Sequence, residues 1–157
     1  MGWATIFSIT NLIALVAWVL LAAGPRGPKT GAIILYFGVG LLCLAYTAMF
    51  GLLFGGLVDP VRVAGATGQG SFTSIDGIRA LFMSDGGIVI GWTHYLAFDL
   101  FVGQWIAKDA DHKGFARWVQ IPFLFATLMA GPIGLILGLI MRERRARKAA
   151  RMMEAEQ

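Results

Sequence analysis

Two titratable side chains lie near the middle of one apolar run. Residues 86–107 (GGIVIGWTHYLAFDLFVGQWIA) contain His94 and Asp99, and at about 1.5 Å per residue each side chain falls within about 4 Å of the centre of a helix over that run. An ionisable group in hydrocarbon is costly and is usually functional, and burial favours its neutral form. A neutral carboxylic acid and a neutral imidazole are a proton donor and a proton acceptor, which predicts acid–base chemistry.

Helical spacing assigns these two groups to different faces. Five residues correspond to about 140° around a helix, so His94 and Asp99 do not hydrogen-bond each other directly. A ligand would contact both only if neighbouring helices surround it. We predict catalytic roles for His94 and Asp99, and a substrate-binding surface formed by the following residues: Trp92, Tyr95, Phe98, Phe101, Gln104, Trp105 and Pro132.

Structural roles for the two groups are the alternative. Asp99 would then hydrogen-bond Tyr46, Thr47 or a backbone carbonyl of the second span, and His94 would bridge two helices.

A role for His94 as a haem ligand is disfavoured because no second intramembrane histidine is present. His112, beside two aspartates, is expected in a solvated turn. We expect no metal and no cofactor.

Composition indicates that the elements holding these residues lie in lipid. Of the 157 residues, 57% are hydrophobic and only 14% are charged, against about 25% charged in soluble domains. Mean hydropathy is +0.72. Four runs reach the roughly 20 residues needed to cross a bilayer: residues 3–24, 31–57, 86–107 and 117–141. The sequence therefore predicts an all-α membrane protein, a four-transmembrane-helix bundle over residues 1–142 with a basic cytoplasmic tail over 143–157.

The basic residues predict an orientation, since Lys and Arg near helix ends stay in the cytoplasm. Four crossings place both termini on one side, together with the connection 58–85. Residues 142–157 contain six basic residues, so both termini are predicted to be cytoplasmic. A basic segment next to a membrane is attracted by anionic lipid, and we expect the lipid bilayer, and no nucleic acid, as its partner.

Glycine and proline predict how the spans pack. Gly51 and Gly55, Gly87 and Gly91, and Gly134 and Gly138 each form a small-xxx-small pair that lets helices approach closely, within the chain or in a homo-oligomer. Pro132, between glycines, is expected to kink the fourth span. Over residues 75–82, apolar and polar residues alternate at helical spacing, which suggests a short interfacial helix or a loop with a hydrophobic anchor.

One string within residues 86–142 is distinctive. It reads W-x-H-x-x-x-x-D-L-F from Trp92 to Phe101, and it is followed by an acidic turn, Arg117, Pro122 and Gly131-Pro132-Ile133-Gly134. This pattern resembles the abscisic-acid-deficient-four, or neoxanthin synthase, family of small four-helix membrane proteins. The match in the first two spans is in length and polarity only.

The resemblance implies a carotenoid or other long apolar isoprenoid as substrate. Plant members are required to convert violaxanthin to neoxanthin, an isomerisation that opens an epoxide and forms an allene. His94 and Asp99 match the motif positions, and our hypothesis is that Asp99 is the acid and His94 the base. We therefore predict a membrane-embedded, carotenoid-modifying isomerase. The alternative is a non-catalytic pigment-binding or assembly subunit. The sequence shows no transit peptide, which favours a bacterial cell inner membrane.

Overall fold

The chain folds almost entirely into α-helix. A computed structural model describes residues 2–68 and 70–155. Helix accounts for 78% of the chain, no strand forms within the described ranges, and one isolated backbone pairing joins Arg62 to Ser84. The prediction of an all-α chain is therefore confirmed. The helices are α1 (Trp3–Ala23), α2 (Pro28–Ile33), α3 (Leu41–Phe54), α4 (Ile75–Phe82), α5 (Asp85–His112), α6 (Arg117–Met129) and α7 (Gly131–Ala155).

The first two predicted spans form long apolar helices. A π-helical segment, Ile34–Gly40, joins α2 to α3, so that Pro28–Phe54 is one continuous helix. Pro28 stands in the first turn, where its missing N–H would have no partner in any case. Within the described residues, Trp3–Ala23 and Pro28–Phe54 are the two helices long and apolar enough to cross a membrane.

The third predicted span is the 28-residue helix α5, which extends beyond both ends of the predicted run. Its interior contains His94, Asp99 and Gln104, and these polar groups make it less apolar than α1. The short helix α4 precedes it and confirms the helical alternative for residues 75–82. Ser74 caps α4, because its hydroxyl oxygen accepts a hydrogen bond from the Gly77 N–H at 3.1 Å.

The predicted fourth span, 117–141, is not one helix. Helix α6 ends at Met129, Ala130 takes the non-helical angles φ −160° and ψ 83°, and α7 begins at Gly131. Pro132 is the reason, because a proline ring inside a helix clashes with the carbonyl four residues earlier but fits a first turn. Instead of a kink, the sequence produces a break between two helices.

The described residues form two compact units. The first contains Met1–Val16 and Tyr36–Ala97, and the second contains Ala17–Leu35 and Phe98–Gln157. In the first unit Trp3, Met49, Val89 and Ile90 form a buried apolar cluster. The indole N–H of Trp3 donates to the Asp59 carbonyl at 2.9 Å, which satisfies the one polar atom of that side chain.

The second unit is held by close contacts of small residues and by polar bridges. A methyl group at Gly103 would overlap the Trp18 ring, so glycine is needed where α1 and α5 meet. The amide of buried Gln104 donates to the Gly31 carbonyl at 2.6 Å and joins α5 to α2. Gly138 of α7 lies against the side chain of Ile106.

Candidate functional site

An aromatic cavity lies in the first unit, between α3, α4 and the first half of α5. Its volume is about 230 Å³. Its walls are apolar except for one imidazole and one phenol. The lining residues are Tyr46, Phe50, Leu53, Phe54, Phe72, Ile78, Leu81, Phe82, Gly87, Ile90, Gly91 and His94.

His94 is the one imidazole in the lining of this cavity. It lies nine residues from the start of α5, which is about 13 Å along the helix axis. The imidazole ring packs against the Tyr46 ring with centroids 5.6 Å apart and planes inclined by 56°. His94 lines the cavity and is exposed, so a ligand in the cavity would contact it.

The aromatic wall follows from the sequence of α3. Tyr46, Phe50 and Phe54 are four residues apart, so they form one stripe along the helix. Phe50 and Phe54 stack with ring centroids 4.4 Å apart. Phe72, in the connection after α3, stacks on Phe54 at 5.9 Å. The connection therefore adds a fourth ring to the cavity wall.

Glycines allow the opposite wall to approach α5. A methyl group at Gly91 would lie 2.7 Å from a ring carbon of Phe82, and one at Gly87 would overlap the Leu81 carbonyl. Ser84 holds the junction of the two helices, since its hydroxyl oxygen accepts from the Gly87 N–H at 3.1 Å. The predicted Gly87–Gly91 packing surface is thus used within the chain, against α4.

The size of the cavity restricts its ligand. Pockets for whole drug-sized ligands measure about 300–1,000 Å³, so about 230 Å³ accommodates one end of a long molecule. Exposed Phe54 and Phe72 form part of its wall, and the cavity is therefore open to the exterior of the unit.

A second, larger and more polar cavity of about 530 Å³ shares Leu53, Phe54 and Leu81 with the aromatic cavity and extends to Arg62.

Trp92 and Tyr95, predicted to bind substrate, lie on another face of α5. Their rings stack with centroids 5.2 Å apart. The Trp92 indole N–H donates to the amide oxygen of Asn11 at 3.1 Å, and Phe7 packs beside the indole ring at 6.2 Å. Neither residue lines the aromatic cavity. Their observed contacts join α5 to α1.

The remaining predicted binding residues belong to the second unit. Phe98 and Phe101 are exposed, and so is Pro132 in the first turn of α7. Gln104 is occupied by its bond to the Gly31 carbonyl. The guanidinium of Arg142 lies 5.8 Å from the centre of the Trp105 ring, a cation–π geometry.

Asp99 is buried, with 7% of its surface exposed, and its carboxylate lies against Gly131. Any side chain at position 131 would overlap that carboxylate. Gly131 is the first residue of α7, where unpaired N–H groups give a helix a partial positive charge. The carboxyl group of Asp99 is therefore enclosed between α5 and the first turn of α7.

A polar network closes the other end of the second unit. The buried amide of Gln120 accepts from Arg26 at 3.0 Å and donates to Asp111 at 2.7 Å. Arg26 also pairs with Asp111 at 3.5 Å. Burial lowers the pKa of the Arg26 guanidinium below its ordinary value, and Asp111 opposes that change. The network joins the α1–α2 connection to the α5–α6 connection.

Sequence reasoning found His94 but missed most of the cavity around it. Tyr46 was considered only as a partner for Asp99, and Phe50, Phe54 and Phe72 were not selected. The four-residue spacing from Tyr46 to Phe54 was a usable signal, because it predicts an aromatic stripe. The contribution of Phe72 depends on how a long connection folds, which spacing does not reveal.

A family model described as ABA DEFICIENT 4-like matches residues 5–137 of this chain. The matched range includes the aromatic cavity, Asp99 and the break between α6 and α7. No curated protein is significantly similar to the chain. No solved structure is significantly similar to it either.

Proposed function

This chain belongs to the ABA DEFICIENT 4-like family, and from that premise we propose that it is a membrane-embedded isomerase of carotenoids or related long isoprenoids. The observation that carries the proposal is the aromatic cavity with His94 in its lining. An apolar wall suits a hydrocarbon ligand, and a group able to take and return a proton suits an isomerisation.

The proposed reaction is a neoxanthin-synthase-like conversion of an epoxide end group to an allenic alcohol. A base removes a proton from the polyene carbon, and the electrons of that C–H bond form the new double bond. The epoxide C–O bond breaks at the same time, and its oxygen takes a proton from an acid. One proton leaves carbon and one reaches oxygen, so the product is an isomer and no redox partner is needed.

We assign the base to His94 and name Tyr46 as the acid that lines the same cavity. The two rings are 5.6 Å apart between centroids, so one substrate end group would contact both. After turnover His94 carries the extra proton and Tyr46 lacks one. A proton passing between these neighbours restores the starting state, as general acid–base catalysis requires.

Asp99, the second titratable group of the motif, remains in the proposal as the alternative acid. Its carboxylate lies at the first residue of α7, where it also positions that helix. The two roles have different consequences. Asp99→Asn abolishes turnover if the carboxyl donates the proton, whereas a positioning role makes the variant less stable and leaves residual turnover in the folded fraction.

The cavity also suits the way a long apolar substrate arrives. Such a molecule resides in the bilayer, and the exposed rings of Phe54 and Phe72 open the cavity toward its surroundings. We propose that the end group enters the cavity while the polyene remains in lipid. The protein would act as a multi-pass protein of a bacterial cell inner membrane, without a metal or other cofactor.

Expression in a carotenoid-producing bacterium tests the proposal. Pigment extracts are compared by chromatography with and without the protein. We expect a new isomer of unchanged mass in the presence of the wild-type chain, and its loss in His94→Gln. His112→Gln is the matched control, because His112 is the other histidine and lies exposed at the end of α5. Full activity in His94→Gln would remove His94 from the mechanism.

The phenol is tested in the same way. Tyr46→Phe keeps the ring and removes the proton donor, and we expect a loss of about 10²–10⁴-fold, the usual contribution of a positioned acid or base. Tyr36→Phe, at an exposed residue outside the cavity, is the control. Equal activity in the two variants would transfer the acid role to Asp99.

A non-catalytic pigment-binding or assembly subunit is the second proposal, since the cavity lining is nearly all aromatic and aliphatic. Purification distinguishes the two. Pigment that copurifies chemically unchanged, together with a stoichiometric partner protein, favours the subunit. A product that accumulates without a partner favours the enzyme.

A further inference from the structure

We propose that α6 and α7 form a re-entrant hairpin, which enters the membrane from the face reached by α5 and returns to that same face. The proposal follows from contacts within the second unit and is independent of the proposed reaction. It makes the C-terminal helix part of one cationic surface that meets the anionic headgroups of the cytoplasmic leaflet.

The direction of α7 is fixed by its contacts along α5. Its first residue, Gly131, lies against Asp99, and Gly138 lies against Ile106. Arg142 then pairs with Asp109 at 3.7 Å. Successive residues of α7 thus meet successive residues of α5, so the two helices run parallel and end on the same side.

Helix α6 runs the opposite way and begins on that side. Gln120, in its first turns, donates to Asp111 at 2.7 Å and to the Phe115 carbonyl at 3.0 Å. Its far end meets α7, because Gly134 lies against the backbone of Thr127. In one continuous helix, seven residues would separate those two positions by about 10 Å. The two helices are therefore the arms of a closed hairpin.

The lengths of the arms agree with a hairpin that stops inside the bilayer. The 13 residues of α6 extend about 20 Å, and Gly131–Met141 extends about 16 Å, whereas a full crossing takes about 30 Å. Asp99 is 13 residues before the end of α5, also about 20 Å. The tip of the hairpin, at Ala130 and Gly131, is thus near mid-membrane beside a buried carboxylate.

The open end of the hairpin, where α6 begins, lies at the C-terminal end of α1. Arg117, the first residue of α6, donates to the carbonyls of Ala22 and Gly24 at 3.2 and 2.5 Å. Arg26 joins the same end through Asp111. The C-terminal end of α1 lies at this face, so Arg142 leaves the membrane on the face where α1 ends. This differs from the predicted bundle with both termini in the cytoplasm.

The distribution of basic residues agrees with this membrane topology. Of the 13 lysines and arginines, the proposed hairpin leaves all but Arg62 and Arg79 on the face where α1 ends. Basic residues near membrane segments remain in the cytoplasm, so that face is cytoplasmic and the N-terminus lies outside. Among those whose side chains the structure describes, the residues on this face are Arg26, Lys29, Lys108, Lys113, Arg117, Arg142, Arg144 and Arg147.

Cysteine accessibility in the full-length chain tests the hairpin. Cys43→Ser removes the single cysteine, and one new cysteine is then placed at Gly2, Gly27, Thr67 or Glu143. The two glycines are surrounded by open space, and Thr67 and Glu143 are exposed. Spheroplasts are treated with a membrane-impermeant maleimide before and after permeabilisation. Denaturation in detergent shows that each cysteine is reactive.

We expect Gly2→Cys and Thr67→Cys to react in sealed spheroplasts, and Gly27→Cys and Glu143→Cys to react only after permeabilisation. Four full crossings would instead give Glu143→Cys the accessibility of Gly2→Cys and the opposite of Gly27→Cys, which would overturn the hairpin. Reaction of both Gly27→Cys and Glu143→Cys from outside would overturn the orientation.

Discussion

Replacing Gly134 by alanine tests the hairpin through its packing. A methyl group there would lie 2.5 Å from the Thr127 Cα, whereas carbon atoms pack at about 3.5–4.0 Å. The two arms would have to separate by about 1 Å. The obstacle is backbone, which does not rotate away, and overpacking of this kind costs about 1–3 kcal/mol. In a continuous helix over 117–141 the same methyl group would meet no such obstacle.

Gly51→Ala is the matched control, because nothing lies within 4 Å of its new methyl group. Both variants gain the same roughly 1 kcal/mol of helix propensity, so the difference between them isolates the overlap. We expect Gly134→Ala to be about 1–3 kcal/mol less stable than Gly51→Ala. At about 2–4 °C per kcal/mol, its thermal midpoint in detergent should be about 2–12 °C lower. Equal midpoints would refute the hairpin packing.

Three further substitutions test the contacts that shape the two units. Asp111→Ala removes a partner of Arg26 and of Gln120, and should cost about 1–3 kcal/mol in thermal unfolding, the usual loss when a charged hydrogen bond is broken. Gln104→Met deletes the bond to the Gly31 carbonyl and should cost about 1 kcal/mol. If unfolding is unchanged in either variant, that contact does not stabilise the unit. Gly91→Val places carbon in the aromatic cavity and against the Phe82 ring, so stability should fall, and pigment retention should fall in the fraction that remains folded; unchanged retention would mean that the ligand lies elsewhere.

The sequence was sufficient to predict the helices, because hydropathy and helix signals act over short distances. The apolar runs predicted α1, the helix through Pro28, and α5 to within a few residues, apart from the longer C-terminal end of α5. Ser74 is a favourable N-cap residue and helical spacing follows it, so α4 was also predictable. Such features depend on neighbouring residues, which a single chain displays directly.

The surroundings of the two titratable groups were predicted less well. Periodicity showed correctly that His94 and Asp99 lie on different faces of α5. It did not indicate that His94 faces an aromatic stripe of α3, or that Asp99 meets the first residue of α7. Those contacts depend on which helices pack against each other, and hydropathy does not indicate which helices are neighbours. Trp92 and Tyr95 show the same limitation, since an aromatic pair that lines a ligand and one that packs against Asn11 have the same sequence pattern.

Apolar length alone does not distinguish the predicted single crossing over residues 117–141 from the hairpin that we propose. A run of 25 apolar residues has the length of one crossing, and it also has the length of two half-crossings joined at a tip. The Gly131-Pro132 pair at its centre distinguishes the two, since proline ends one helix and begins another. Charge gives the same answer: four crossings would divide the basic residues so that Arg26, Lys29, Lys108, Lys113 and Arg117 lie outside, whereas a hairpin leaves only Arg62 and Arg79 there. Because the positive-inside rule favours the more asymmetric division, break and charge together indicate a hairpin before any contact is considered.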